Sequence, residues 1–289
     1  MFLLLLLLAG APGSDERELA LDTGDVVLWV HAFGPAAARE TILVVPGGPG
    51  LSHEYLLPLA ALAGPDRSVF FYDPRGSGRS GDSADLSLDA QLLDLDAVRR
   101  ASSAERVHVL GHSWGTVIAL AYTLSFPERV TSLILVGMGP PSAAADRKVF
   151  GAAFVARKAR LVKQGIVPRE RPAARGGDCM AGFSSVLPVH FADPQHPAAR
   201  GLPGTYRCGL YARATAAVGA WDFRRDLPLL TTPILFVIGD ADANAAGLPE
   251  TARLARVGVT AKLEDCGHFP FLECPETFFP PLERFLRAF

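Results

Sequence analysis

The sequence predicts an α/β fold: a mostly parallel sheet with helices on both faces. Three observations carry this reading. Short apolar runs alternate with helical patterns along most of the 289 residues. Three of the runs stop at glycine-bearing turns: Pro46-Gly47-Gly48-Pro49-Gly50, Asp73-Pro74-Arg75-Gly76-Ser77-Gly78 and Gly111-His112-Ser113-Trp114-Gly115. The rhythm breaks once, from 139 to 228, where Pro, Gly, Ala and Arg dominate and any periodicity is helical. The expected organisation is a core of 14–138 and 229–289 with a mainly helical cap (lid), 139–228, inserted between its halves.

The elements follow in order. Residues 19–21 and 26–31, joined around Thr23-Gly24-Asp25, read as an antiparallel hairpin. Residues 41–45 and 68–72 are short buried strands, with a helix between them from about 53 to 63. A helix over 88–102 carries Leu88, Leu92 and Leu95 on one face. Residues 106–110 form a strand running into Gly111, and the helix after it ends before Pro127. Past the insertion the alternation returns: strand 232–238, helix 248–257, strand 260–264 and a closing helix over 276–288.

Composition excludes several classes. The chain is 49% hydrophobic and 20% charged, which is globular rather than disordered or fibrous. A net charge of −2 offers no field for nucleic acid. The apolar run at 1–13, ending in Ala9-Gly10-Ala11, is too short to span a bilayer and matches a secretory cleavage pattern. It predicts a secreted or periplasmic protein; as an uncleaved apolar tail it would leave the protein cytoplasmic. Cys179, Cys208, Cys266 and Cys274 suit an oxidising compartment. Proximity favours the pairs 179–208 and 266–274, with buried free thiols as the alternative. No cysteine–histidine spacing resembles a zinc site, and no metal or organic cofactor is expected.

The chemistry-bearing residues are few. A serine hydroxyl becomes a useful nucleophile only when a base removes its proton. Gly111-His112-Ser113-Trp114-Gly115 between an apolar strand and an apolar helix is a G-x-S-x-G elbow, where the tight turn requires glycine at its flanks. Acid and base are expected downstream, in the order Ser…Asp…His. Asp242 lies just past the strand 232–238, and Asp240 more simply braces that turn. His268 lies just past the strand 260–264 and is the base; the other six histidines sit in strands, at a helix start, beside the serine or in the insertion. The oxyanion donors are expected to be the backbone N–H groups of Trp114 and Gly48. A phosphate-cradling role for the glycine turn is excluded because no Gly-Lys-Ser/Thr follows it.

These residues resemble the α/β-hydrolase superfamily. More narrowly, Gly47-Gly48-Pro49-Gly50, Asp73-Pro74-Arg75-Gly76-Ser77-Gly78-Arg79-Ser80 and the serine elbow resemble the prolyl aminopeptidase (proline iminopeptidase) group. The resemblance implies an α/β-hydrolase fold, an acyl-enzyme mechanism and a small-molecule or short-peptide substrate. Pro46 stands where that group usually carries histidine, which removes a side-chain and a backbone donor.

The group also holds the substrate's terminal ammonium with acidic residues of the cap. Here the insertion contains fourteen Lys and Arg against six Asp and Glu, a poor host for a cation unless a particular acid is well placed. Glu170, Asp178, Asp193, Asp222 and Asp226 are the candidates, Glu170, Asp178 and Asp222 foremost. Within 146–165, Val149, Phe150, Phe154 and Leu161 form one apolar stripe among six cations: a lid helix with solvated charges, or a surface for lipid or an anionic substrate. Membrane contact could arise only through that lid or the N-terminal run. Three functions therefore stand: an aminopeptidase, a carboxylesterase or other small-molecule acyl hydrolase, and a catalytically idle binding protein on the same fold.

Overall fold

The computed structural model describes residues 5–8, 15–173 and 179–289. Most of the leader-like run at 1–13, and Asp178, lie outside the described residues. The chain divides into two compact units, 1–133 with 204–219 and 134–203 with 220–289, so the 139–228 insertion contributes to both.

In the first unit the strands are β1 (Leu5–Leu8), β2 (Glu16–Asp22), β3 (Val27–Phe33), β4 (Glu40–Val45), β5 (Arg67–Tyr72) and β6 (Val107–His112). Their order is β1-β2-β3-β5-β4-β6. Pairing is antiparallel from β1 to β5. It becomes parallel where β4 meets β5 and β6. The central strands are apolar along their length and buried, as a strand covered on both faces requires. Helix α1 (Leu88–Ala101) starts at Ser87, whose hydroxyl accepts the Ala90 N–H, and buries Leu92 and Leu95. Helix α2 (Trp114–Ser125) follows β6 directly, with Val117, Ile118, Leu120 and Tyr122 buried. The helix expected from about 53 to 63 is a 3-10 helix, His53–Leu62, and contains Pro58.

Strand β7 (Val130–Val136) begins in the first unit and ends in the second. The second unit then holds α3 (Ala143–Lys163), α4 (Met180–Ser184), the parallel pair β8 (Ile234–Gly239) and β9 (Gly258–Leu263), α6 (Leu248–Leu254), α7 (Pro270–Glu273) and α8 (Pro275–Leu286), while α5 (Cys208–Val218) belongs to the first. The apolar stripe of α3 is used internally. Leu161 packs with Val167, Val186 and Val189, while Phe150 and Phe154 stack against the His190 ring. No helix among the described residues is long and apolar enough to cross a membrane. Cys266 and Cys274 are disulfide-bonded, Cys179 and Cys208 are bonded as well, and no thiol among the described residues is free.

The turn after β5 is built around Asp73, which is fully buried. One carboxylate oxygen accepts the His53 N–H (2.9 Å) and His53 Nδ1 (2.8 Å), and the other accepts the Arg79 N–H (2.8 Å). Gly78 stands at φ +50°, and a Cβ there would fall 2.1 Å from an Asp73 oxygen. The Asp-Pro-Arg-Gly-Ser-Gly-Arg-Ser run is therefore a structural lock. Asp73→Ala would strand two buried donors of His53 and the partly buried Arg79 N–H, so chemical denaturation should show a loss of at least ~3 kcal/mol. A loss under ~1 kcal/mol would contradict this reading of the turn.

Candidate active site

Ser113 has φ +56° and ψ −123°, a conformation an L-residue adopts only when its surroundings enforce it. They do so by close backbone approach. A Cβ on Gly111 would lie 2.4 Å from the Gly115 carbonyl oxygen, and one on Gly115 would lie 2.2 Å from that of Val45. The serine carbonyl accepts both the Thr116 N–H (2.9 Å) and the Thr116 hydroxyl (2.6 Å), which fixes the first turn of α2.

The glycine turn after β4 lies against this elbow. A Cβ on Gly47 would come within 2.9 Å of Ser113 Cβ. The Gly47 N–H donates to Tyr55 Oη at 2.7 Å, and Tyr55 Oη meets His112 Nδ1 at 3.0 Å. The tyrosine hydroxyl thus bridges the glycine turn and His112, which is 1% exposed and forms part of the scaffold behind Ser113. Gly48 is at φ +118°, and among the described residues no acceptor is seen for its N–H or that of Trp114. The Trp114 amide opens a helix, where a backbone donor has no intrahelical partner.

In the second unit an aspartate and a histidine meet. His268 Nδ1 and Asp242 Oδ2 are 2.8 Å apart, both groups buried, and the other Asp242 oxygen accepts the Asn244 N–H at 2.9 Å. Asn244 Nδ2 donates to the Gly137 carbonyl at 2.8 Å, tying this loop to the end of β7. Gly137, at φ +72°, has no room for a side chain: a Cβ would lie 3.0 Å from His268 Cε1 and 3.2 Å from Asp242 Oδ2. Gly239 at the end of β8 admits the histidine loop, since a Cβ there would lie 2.2 Å from the Cys266 carbonyl oxygen. The His268 N–H donates to the His190 carbonyl (2.7 Å), and Glu273 joins the Gly267 and Asp193 amides at 2.7 and 2.8 Å. The Cys266–Cys274 disulfide brackets the same loop.

Two neighbours of this pair were not among the sequence candidates. The His190 ring packs 5.5 Å from that of His268 among Phe154, Phe183 and Phe269, and burial holds its pKa down at about 3, with His268 adding to the effect. It is a neutral aromatic wall. Asp146, in the first turn of α3, has its pKa pushed up to about 6, chiefly by burial and further by Asp242, while His268 and Arg147 pull the other way. A first-turn aspartate reads from sequence as a partner for the helix dipole, which hides this placement. The acids singled out in the insertion fare differently. Asp222 is exposed and hydrogen-bonded to Arg224, which holds its pKa down at about 2. Glu170, Asp193 and Asp226 are exposed. The described groups that bring three metal-capable side chains together are limited to His53, Glu54 and Asp73, two of which already bond each other.

A family model for the alpha/beta hydrolase fold matches residues 40–172. The chain is 30% identical over 279 residues to a proline iminopeptidase of Heyndrickxia coagulans, covering 89% of this chain and 93% of that one. Among solved structures it resembles the proline iminopeptidase of Mycobacterium smegmatis (TM-score 0.68, 23% identity, 94% and 98% covered). It also resembles an esterase from Exiguobacterium antarcticum (TM-score 0.67, 18% identity, 92% and 97% covered), so the fold is common to both chemistries.

The raised pKa of Asp146 has a stability consequence. From about pH 4 to about 6 the folded chain keeps a proton that the unfolded chain has released, so this group's contribution falls as pH rises through that window. Asp146→Asn removes the penalty. Thermal unfolding should show the variant more stable than the parent at pH 8 and no more stable at pH 3.5; equal midpoints at pH 8 would contradict the burial argument.

Proposed function

Since the chain belongs to the α/β-hydrolase family and is an enzyme of the serine hydrolase type, we propose that it is a prolyl-aminopeptidase-like exopeptidase acting through Ser113, His268 and Asp242. The observation that carries this reading is the bond between His268 Nδ1 and buried Asp242. With Nδ1–H donating to the carboxylate, Nε2 keeps the lone pair a general base needs.

In the proposed cycle Ser113 Oγ attacks the carbonyl carbon of the substrate while His268 takes the hydroxyl proton. Asp242 holds the imidazole in the right tautomer and stabilises the imidazolium. The oxyanion is received by the N–H groups of Gly48 and Trp114, two amides for which no acceptor is seen among the described residues. Collapse of the tetrahedral intermediate breaks the bond to the amine, which leaves with the proton from His268. Water then attacks the acyl-enzyme in the same way and regenerates the serine.

The peptidase reading draws on the 30% identity to a proline iminopeptidase along most of the chain. An acyl ester is the second reading, favoured by the insertion's surplus of cations, because an ester needs no ammonium site. The disulfide-bonded cysteines support an exported enzyme, in keeping with the leader-like run.

Purified protein should cleave a prolyl arylamide, and blocking the substrate's amine should abolish that cleavage. Ser113→Ala should lower turnover at least ~1000-fold with folding unchanged. Near-normal turnover by that variant would remove Ser113 from the mechanism. Cleavage of short aryl esters alone would replace the peptidase reading with the esterase one.

A further inference from the structure

A small cavity lies in the first unit, beside the glycine turn that follows β4. It is lined by Pro46 and Gly47 of that turn, Arg75 and Ser77 of the turn after β5, Trp114 at the start of α2 and Leu210 of α5. Its volume is about 20 Å³. Gly47 also lies against Ser113, so the cavity adjoins the serine elbow.

Two buried polar atoms on these residues are unused. Ser77 is fully buried, and its Oγ has no hydrogen-bond partner among the described residues. The same holds for Nε1 of Trp114. The other donors nearby are engaged: the Arg75 guanidinium with Asp94, Asp25 and the Asp85 and Ala90 carbonyls, and Gln91 Nε2 with the Leu86 carbonyl. Ser80 offers a contrast within the same turn. Its hydroxyl donates to the Asp73 carbonyl and accepts the Trp29 N–H, a structural use that the Ser77 hydroxyl lacks.

The chemistry of the two atoms says what would fill the cavity. Leaving a buried donor or acceptor without a partner is costly. An indole N–H only donates, whereas a serine hydroxyl donates or accepts. A cation is repelled by the indole N–H, and an apolar group satisfies neither atom. A water accepts from the indole, completes its bonds at the hydroxyl, and needs only roughly 10–15 Å³ of free space. A substrate's ring or side chain needs several times that room.

We propose that this cavity holds one ordered water bridging Trp114 Nε1 and Ser77 Oγ, and that the bridge makes Ser77 a positioning residue for the oxyanion site. The positioning role rests on the proposed use of the Trp114 backbone N–H by the oxyanion. An indole held at its far end limits how far the residue can tilt, and with it the direction of that N–H. The bridge ties the first residue of α2 to the turn locked around Asp73, which gives the buried serine of that turn a use.

Two measurements test this. A crystal structure of the parent should show a water peak within hydrogen-bond distance of both atoms. Saturation kinetics of fluorophosphonate labelling at Ser113 then give a limiting rate and an apparent affinity for the parent, Ser77→Ala, Trp114→Phe and the double variant. Each single variant should lower the limiting rate roughly 3- to 10-fold, with the apparent affinity within about twofold, as loss of one water-mediated contact implies. The double variant should be no slower than the slower single one, because both substitutions remove the same bridge. Circular dichroism and the thermal midpoint confirm that each variant is folded. A dry cavity in the parent, additive losses of rate, or a loss confined to affinity overturns the proposal. A parent that is not labelled at Ser113 removes the hydrolase reading and the positioning role with it, while the water is judged on the crystal structure alone.

Discussion

A hydrogen bond of 2.8 Å between two buried groups, Asp242 Oδ2 and His268 Nδ1, imposes conditions that much of the second unit serves. An ionised carboxylate taken out of water must have its lone pairs filled, and an imidazole that is to act as a base must be fixed in one tautomer. Asn244 fills the first need with its backbone N–H, and its side chain anchors the loop to Gly137. The backbone of His268 is tied to His190, and Glu273 and the Cys266–Cys274 bridge hold the loop on either side. Together these contacts hold the imidazole in one place before any substrate arrives, as the proposed role of His268 requires.

Backbone proximity is the second constraint, and it explains which glycines matter. At Gly47, Gly111 and Gly115 the elbow is approached more closely than any Cβ permits, the same holds at Gly239 beside the His268 loop, and Gly137 takes a positive φ tight against the His268 and Asp242 side chains. The strained serine conformation is the outcome: once β6 and α2 are packed, the turn between them has no relaxed alternative.

Much of this was legible in the sequence because the features are local. The elbow is five consecutive residues with a mechanical reason for each glycine. Asp242 and His268 stand out because each lies in a loop past a strand, and the order of elements puts the two loops side by side, where the structure pairs them. The Cys266–Cys274 pairing followed from short separation. The helical stripe of α3 was visible as well, though not that its phenylalanines meet His190. What escaped depends on long-range placement. Glu170 and Asp222 are as acidic as Asp146 on paper, and only burial separates them. Asn244 carries no signal, since an asparagine after a strand reads as a turn residue; its contacts with Asp242 and Gly137 appear only in the fold. His53 reads as the first residue of a helix, yet its ring sits in a chain from buried Asp73 through His31 to exposed Glu16, joined by residues far apart in sequence.

The account stands or falls on Ser113 being a nucleophile activated by His268. Treating the protein with a fluorophosphonate and mapping the adduct by peptide mass spectrometry tests this most directly, since the reagent labels only a serine whose proton a neighbouring base can take. The account predicts one adduct per chain, on the peptide containing Ser113, with labelling slowed at least ~100-fold in His268→Ala, as expected when the base of a triad is removed. A stoichiometric adduct on another serine, or labelling of Ser113 at full rate without His268, would contradict it.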